Sequence, residues 1–242
     1  MKIRVFIPAR LESSRFPKKL LQKVSDITLI EHICLRAKKI KSDSLAVLTD
    51  SRHIQEIVES HNIECHYSKV VYSNGTDRIA HYCELKKYNA SDLIINIQAD
   101  EFNFPLRAIE KIKRYFMDFK EATVATLTFR IINSTDQDDK NLVKVVKDKN
   151  DNAIYFSRSA IPFNSRSCYG HLGIYAYKVR ILAKYRKLKK GMVETEESLE
   201  QNRFLYNSVP IKCISIKSHD SISINTKNDL KLAKKKLKWK RK

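Results

Sequence analysis

Three short, dominantly apolar runs, IRVFIPA (3–9), LAVLTD (45–50) and DLIINIQAD (92–100), alternate with stretches of helical spacing. That alternation restricts the fold more than any single motif does. A brief apolar run bounded by turn residues reads as a strand covered on both faces. The intervening segments read as amphipathic helices over 29–40, 51–62, 76–88 and 105–119. Ser51 is the expected N-cap of the second, Thr76 starts the third, and Pro105 opens the first turn of the fourth. Strand and helix in repeated succession require an α/β fold with a mixed, largely parallel central sheet.

The second half changes character. Residues 122–132, 141–161 and 170–179 are strand-rich, and DKNDN (148–152) turns a hairpin inside the second stretch. Helix returns over 194–207, a strand follows at 210–216, and a basic helix at 226–238 closes the pattern. The expected organisation is a single domain over 1–232. Its first half is 1–120, a smaller strand-rich lobe is 121–225, and 233–242 form a solvated basic tail.

Forty-seven basic and 27 acidic residues give a formal charge of +20, which suits an anionic partner without identifying one. Nucleic-acid binding rests on the basic tail alone, since no helix-turn-helix or aromatic-rich signature accompanies it. The five cysteines are widely spaced and form no C-x-x-C pair, so they are expected to pack as small hydrophobes in a reducing compartment. No apolar run is long enough to span a bilayer, and a soluble, cytoplasmic protein is expected.

In open α/β sheets ligands bind beyond the carboxyl ends of the strands. Three such ends are polar here: residues 9–19, Asp50, and residues 98–101. The glycine-rich phosphate signatures are missing, as are G-x-S-x-G and H-E-x-x-H. Cations remain for phosphates, and acids for a metal. Arg10, Arg15 and Lys19 can neutralise a triphosphate. NGTDR (74–78) offers a glycine, a hydroxyl and Arg78. Asp100 and Glu101 leave the most apolar strand directly, where a carboxylate can hold Mg²⁺ against phosphate oxygens.

IPARLESSRFPKKLL, VLTD, NGTDRIA, IINIQADEFNFP, NLVKVV, AIYFSRSAIPF, GHLGIYAY, SLEQNR and SINTKNDL follow one another along nearly the whole chain. Together they resemble the 3-deoxy-manno-octulosonate (Kdo) cytidylyltransferases. The resemblance implies a Rossmann-like nucleotidyltransferase with a smaller sugar-side lobe, working as a homodimer. It implies transfer of CMP from CTP to Kdo or a related acidic 3-deoxy-ulosonic sugar with Mg²⁺, releasing pyrophosphate for lipopolysaccharide synthesis. Carried over residue by residue, Ala9, Arg10, Ser13, Arg15 and Lys19 form the nucleotide loop, joined by Gly75, Thr76 and Arg78. Arg15, Lys19 and Asp100 are the catalytic set. Gln98, Arg158, His171, Tyr175, Glu200 and Gln201 contact the sugar, and Asp100 and Asn225 hold the metal.

The sequence departs from that family's pattern in places. Lys18 stands where a glycine is usual, and Ala99 and Phe102 alter the segment QADEF. Asn225 occupies the place of a metal-binding aspartate. A family-fold protein that binds nucleotide or another anion with little turnover is therefore the alternative reading. Which ulosonic acid is the acceptor is not legible in the sequence.

Overall fold

The computed structural model describes residues 1–13, 15–165, 167–217 and 219–240, apart from the side chains of Ser134 and residues 238–240. Its nine-stranded sheet follows the hydrophobic runs. Across it lie Glu64–Tyr67, Ser44–Thr49, Ile3–Ala9, Leu93–Ile97, Cys168–Lys178, Val124–Ile131 and Ile211–Ile216. The first four are mutually parallel, as are the last two, and Cys168–Lys178 runs against both of its neighbours. This is the expected mixed α/β sheet. Leu93–Ile97 is buried at every position because helices cover both faces. Along Ile3–Ala9, Val5, Ile7 and Ala9 face one core and Phe6 the other. Ile33, Ile109 and Phe116 fill the first core; Ile79, Leu182 and Phe204 fill the second.

Cys168–Lys178 joins the two halves. Its C-terminal part pairs with Leu93–Ile97, while Tyr169 and Gly170 pair with Lys144–Lys147. The expected hairpin then adds Ala153–Ser157 beyond Lys144–Lys147. A register shift between Leu172 and Tyr175 marks the change of partner. Gly173 lies within it and gives its N–H to the Glu101 carboxylate at 3.0 Å. A Cβ there would stand 2.8 Å from the accepting oxygen, so only glycine fits the approach.

Several elements differ from expectation at their ends. The third helix is Gly75–Leu85, so it starts one residue before Thr76, and Asn74 caps it, accepting from Asp77 N–H at 2.8 Å. Asn74 immediately precedes the helix, and its side-chain oxygen satisfies one of the free N–H groups of the first turn. Pro105 precedes the helix Leu106–Asp118 instead of opening its first turn. Residues 194–207 form two short helices, Met192–Glu197 and Asn202–Tyr206, separated where Ser198 turns left-handed at φ 51° and Leu199 folds into the core. The tail boundary at 233 falls within one helix, Lys227–Lys240, in which Leu230 and Ala233 are buried. Ser51 caps Arg52–Ser60 as expected. Four of the cysteines are buried and all five are free. Burial pushes Cys34, Cys83 and Cys213 up to about 12.

Ala99 takes an ordinary backbone conformation, but Lys18 is left-handed at φ 51°, ψ 31°. A side chain there costs about 1–2 kcal/mol that glycine avoids, partly offset by about 0.4–1 kcal/mol through glycine's freer unfolded chain. Lys18→Gly should therefore raise the urea midpoint, by roughly 0.5 kcal/mol in stability. A lowered midpoint would contradict the strain assigned to Lys18.

Candidate active site

The cationic loop after Ile3–Ala9 is braced from below. Arg78 is buried and gives Nη2 to Asp50 Oδ2 at 2.8 Å, while Asp50 Oδ1 accepts Leu11 N–H at 2.9 Å. Arg78 thus reaches the loop through Asp50, although its side chain also borders the cleft. Lys19 donates to Asp100 Oδ2 at 2.5 Å and to the Ile224 carbonyl at 3.1 Å. Arg15 spans the opening, giving Nη1 to Asn141 Oδ1 at 2.8 Å and Nη2 to Asn225 Oδ1 at 3.0 Å. Residues 126 and 210 positions apart are joined by this single guanidinium.

Two adjoining cavities open at the strand ends, of about 430 and 580 Å³. Arg10, Ser13, Lys19, Gly75 and Arg78 border the first. Arg158, His171, Tyr175, Gln201 and Asn225 border the second. Arg15, Gln98, Asp100 and Glu200 border both, so the expected reacting centre is where the two spaces meet. Ala9 and Thr76 have no exposed surface and border neither cavity. Thr76 supports the wall from behind. Its N–H reaches Glu200 Oε2 at 3.2 Å and its hydroxyl pairs with Tyr177 at 3.2 Å. Glu200 therefore lies at the N-terminus of Gly75–Leu85, where the helix dipole favours negative charge. Gln98 Nε2 donates to its other oxygen at 3.2 Å. Gly75 borders the first cavity with its backbone, and a Cβ there would meet Pro8 Cγ at 3.0 Å.

The second cavity has a cationic end. Arg158 is held by the Glu197 carbonyl at 2.9 Å and the Lys140 carbonyl at 3.1 Å. Burial, followed by the neighbouring Arg15, keeps its guanidinium below the usual arginine range. Two guanidiniums facing one space leave it short of an anion. His171 accepts or donates at Nε2 to Thr126 Oγ1, 3.0 Å away, and burial lowers its pKa to about 3. Burial likewise pushes Tyr175 well above the usual phenol range and raises Glu200. Gln201 is buried with Nε2 unpartnered, leaving a donor beside the cavity.

Oxygen donors for a metal meet along the same wall. The Asp100 carboxylate and the Asn225 amide oxygen both border the second cavity, and Ile224 N–H bonds the Asp100 carbonyl at 2.9 Å. One carboxylate plus an amide oxygen suits a hard divalent ion that brings phosphate ligands of its own. Among the described residues no cluster of three or more His, Cys, Asp or Glu side chains is placed to bind a metal.

Sequence reasoning missed the residues that hold this arrangement. Glu101 accepts from Gly173 N–H, Ser221 Oγ at 2.9 Å and Ser223 Oγ at 2.5 Å, and so ties Glu101–Phe102 to the paired strand Ile222–Ser223 that leads to Asn225. Asn141 anchors Arg15, and Glu197 accepts Arg158 N–H at 2.8 Å. Only the adjacency of Glu101 to Asp100 was visible in the sequence.

Residues 4–216 match the cytidylyltransferase family. The chain is 35% identical over 243 residues to the 3-deoxy-manno-octulosonate cytidylyltransferase of Francisella tularensis subsp. holarctica, covering 96% of this chain and 97% of the relative. It is 39% identical over 234 residues to the protein of the same name from Fusobacterium nucleatum subsp. nucleatum, covering 95% and 94%. The solved structure of a CMP:2-keto-3-deoxy-manno-octonic acid synthetase complexed with CTP aligns with a TM-score of 0.90 at 28% identity. That alignment covers 99% of this chain and all of the other.

The buried imidazole has a measurable consequence. His171 titrates at about 3 in the fold, against about 6.5 in the unfolded chain. Its contribution is complete above about pH 6.5 and is lost as pH falls towards about 3, because the unfolded chain then binds the extra proton. Between pH 7 and 5 the wild type should lose about 2 kcal/mol more stability than His171→Gln. Equal losses in urea unfolding at the two pH values would show that His171 is not held neutral.

Proposed function

The chain belongs to the cytidylyltransferase family, and from that premise we propose that it transfers CMP from CTP to the anomeric hydroxyl of Kdo or a closely related 3-deoxy-ulosonic acid, releasing pyrophosphate. The observation that carries this reading is the junction of two cavities at Arg15, Gln98, Asp100 and Glu200. A nucleoside triphosphate in the first and an anionic sugar in the second would meet there. Binding both substrates in adjoining spaces turns an encounter of two anions into a positioned reaction.

In this reading the sugar oxygen bonds to the α-phosphorus as the bond to the pyrophosphate oxygen breaks. Lys19 and Arg15 lie where charge accumulates on the departing pyrophosphate, and neutralising that charge is the main task in such transfers. Arg158 receives the sugar carboxylate, and the guanidinium fork suits a planar anion. Gln201, with its unpartnered donor, offers a hydrogen bond to a hydroxyl of the sugar. His171 stays neutral and takes no proton at working pH. A divalent cation, Mg²⁺ in this reading, would be held by Asp100 and Asn225 and would supply further charge neutralisation at the phosphates. A homodimer in the cytoplasm is its proposed working form. Among the described residues no helix is long and apolar enough to cross a membrane.

The test is pyrophosphate release with each nucleoside triphosphate and Kdo. CTP should be preferred, and Arg15→Ala and Lys19→Ala should each lower kcat/KM by roughly 10²-fold or more. Equal turnover with UTP, ATP or GTP, or near-normal kinetics in both variants, would count against the assignment.

One observation favours the alternative of a nucleotide-binding relative with little turnover. Asn225 brings no negative charge, and its amide oxygen already accepts from Arg15. A Mg²⁺ titration of initial rates separates the two readings. Asn225→Asp should lower the midpoint concentration of a wild type that is already active. Activity that appears only in Asn225→Asp would make the natural chain the binding relative, and identical titrations would remove Asn225 from the metal.

A further inference from the structure

Lys144 begins the strand Lys144–Lys147 and has no exposed surface. Burial lowers its pKa, yet among the described residues no carboxylate forms an ion pair with it. Its Nζ donates instead to three backbone carbonyls: Asp139 at 2.9 Å, Leu142 at 2.8 Å and Arg158 at 2.5 Å. An ammonium has three donors. All three are used, so none remains for a ligand.

Those carbonyls belong to two separate segments, and both carry side chains to the second cavity. Asp139 and Leu142 flank Asn141, the anchor of Arg15. The third carbonyl is that of Arg158, whose guanidinium borders the cavity. Without an ammonium at this point, the Leu142 and Arg158 carbonyls would lose this part-buried donor, the Asp139 carbonyl would keep only the Leu142 N–H, and the segments would move apart to find water. Arg15 keeps a second tie, to Asn225. Arg158 keeps its N–H and Nε ties to Glu197, while its carbonyl is held to the Asp139–Leu142 turn through Lys144.

We propose that Lys144 is a positioning residue for capture of the acceptor's carboxylate. It sets the backbone of Arg158 relative to the Asp139–Leu142 turn, and so the aim of Arg158 into the sugar cavity. This rests on the CMP-transfer reading above. It predicts a selective defect: looser acceptor binding with little change in nucleotide binding, because the first cavity is bordered by neither segment.

The experiment compares wild type, Lys144→Met, Arg158→Ala and the double variant by steady-state pyrophosphate release, with circular dichroism to confirm the fold. Lys144→Met should raise the acceptor KM about tenfold while the CTP KM stays within about threefold, as expected for a misplaced contact group. In the Arg158→Ala background the same substitution should add no more than about twofold, because Lys144 acts through Arg158. Parallel rises in both KM values, an unchanged acceptor KM, or effects that multiply in the double variant would each overturn the proposal. Should Lys144→Met not fold, Lys144→Arg carries the same test, since a planar fork cannot reproduce three donors directed at three carbonyls. A wild type that releases no pyrophosphate from CTP and Kdo overturns the functional reading instead, before Lys144 is varied.

Discussion

The ion pair between Lys19 and Asp100 holds the site together. It joins the cationic loop after the first strand to the turn after the central strand, and through the Ile224 carbonyl it adds the segment that follows the short strand Ile222–Ser223. Both side chains keep some solvent contact, which moderates the cost of burying two charges. Asp100 borders both cavities and Lys19 the first, and in the proposed reaction each member is matched to one component of a metal–triphosphate. Lys19 suits phosphate oxygens, and Asp100 suits a hard cation. In the free protein each neutralises the other. In the proposed reaction, arrival of both substrate components would let the pair separate without leaving either charge alone, so the interaction that orders the loop would also keep it ready to open.

The remaining architecture serves that junction. Cys168–Lys178 pairs with the central strand Leu93–Ile97 along its C-terminal part and with the hairpin strand Lys144–Lys147 near its start. Its irregularity at Gly173 admits Glu101, which pins Ser221 and Ser223 and with them the approach to Asn225. Arg15 then closes the span between Asn141 and Asn225. The acceptor space therefore depends on contacts between residues far apart in the chain, made possible by one long shared strand.

That dependence explains what could be read in advance. The buried strands and the Ser51 cap were legible because they are local: apolar runs and a capping hydroxyl act within a few residues. The cationic loop was legible because it follows a strand end, where such folds bind ligands. The resemblance pointed to His171, Tyr175 and Glu200, which spacing alone would leave as ordinary residues; all three border the second cavity. The Asn74 cap and the helix break at Ser198 were decided by local alternatives that the hydrophobic pattern does not separate. The work of Arg78, Glu101, Asn141 and Lys144 was not legible. Each acts on a partner many residues away, and a single sequence carries no sign of which partner that is.

Titration calorimetry of CTP into wild type and Asp100→Asn, with and without Mg²⁺, tests the exchange of partners at Lys19 most directly. Without metal, Asp100→Asn should bind CTP more tightly, because Lys19 is released and a carboxylate no longer repels the phosphates. With Mg²⁺ the order should reverse. The same affinity ratio under both conditions would contradict the account, since Asp100 would then neither restrain Lys19 nor receive the cation.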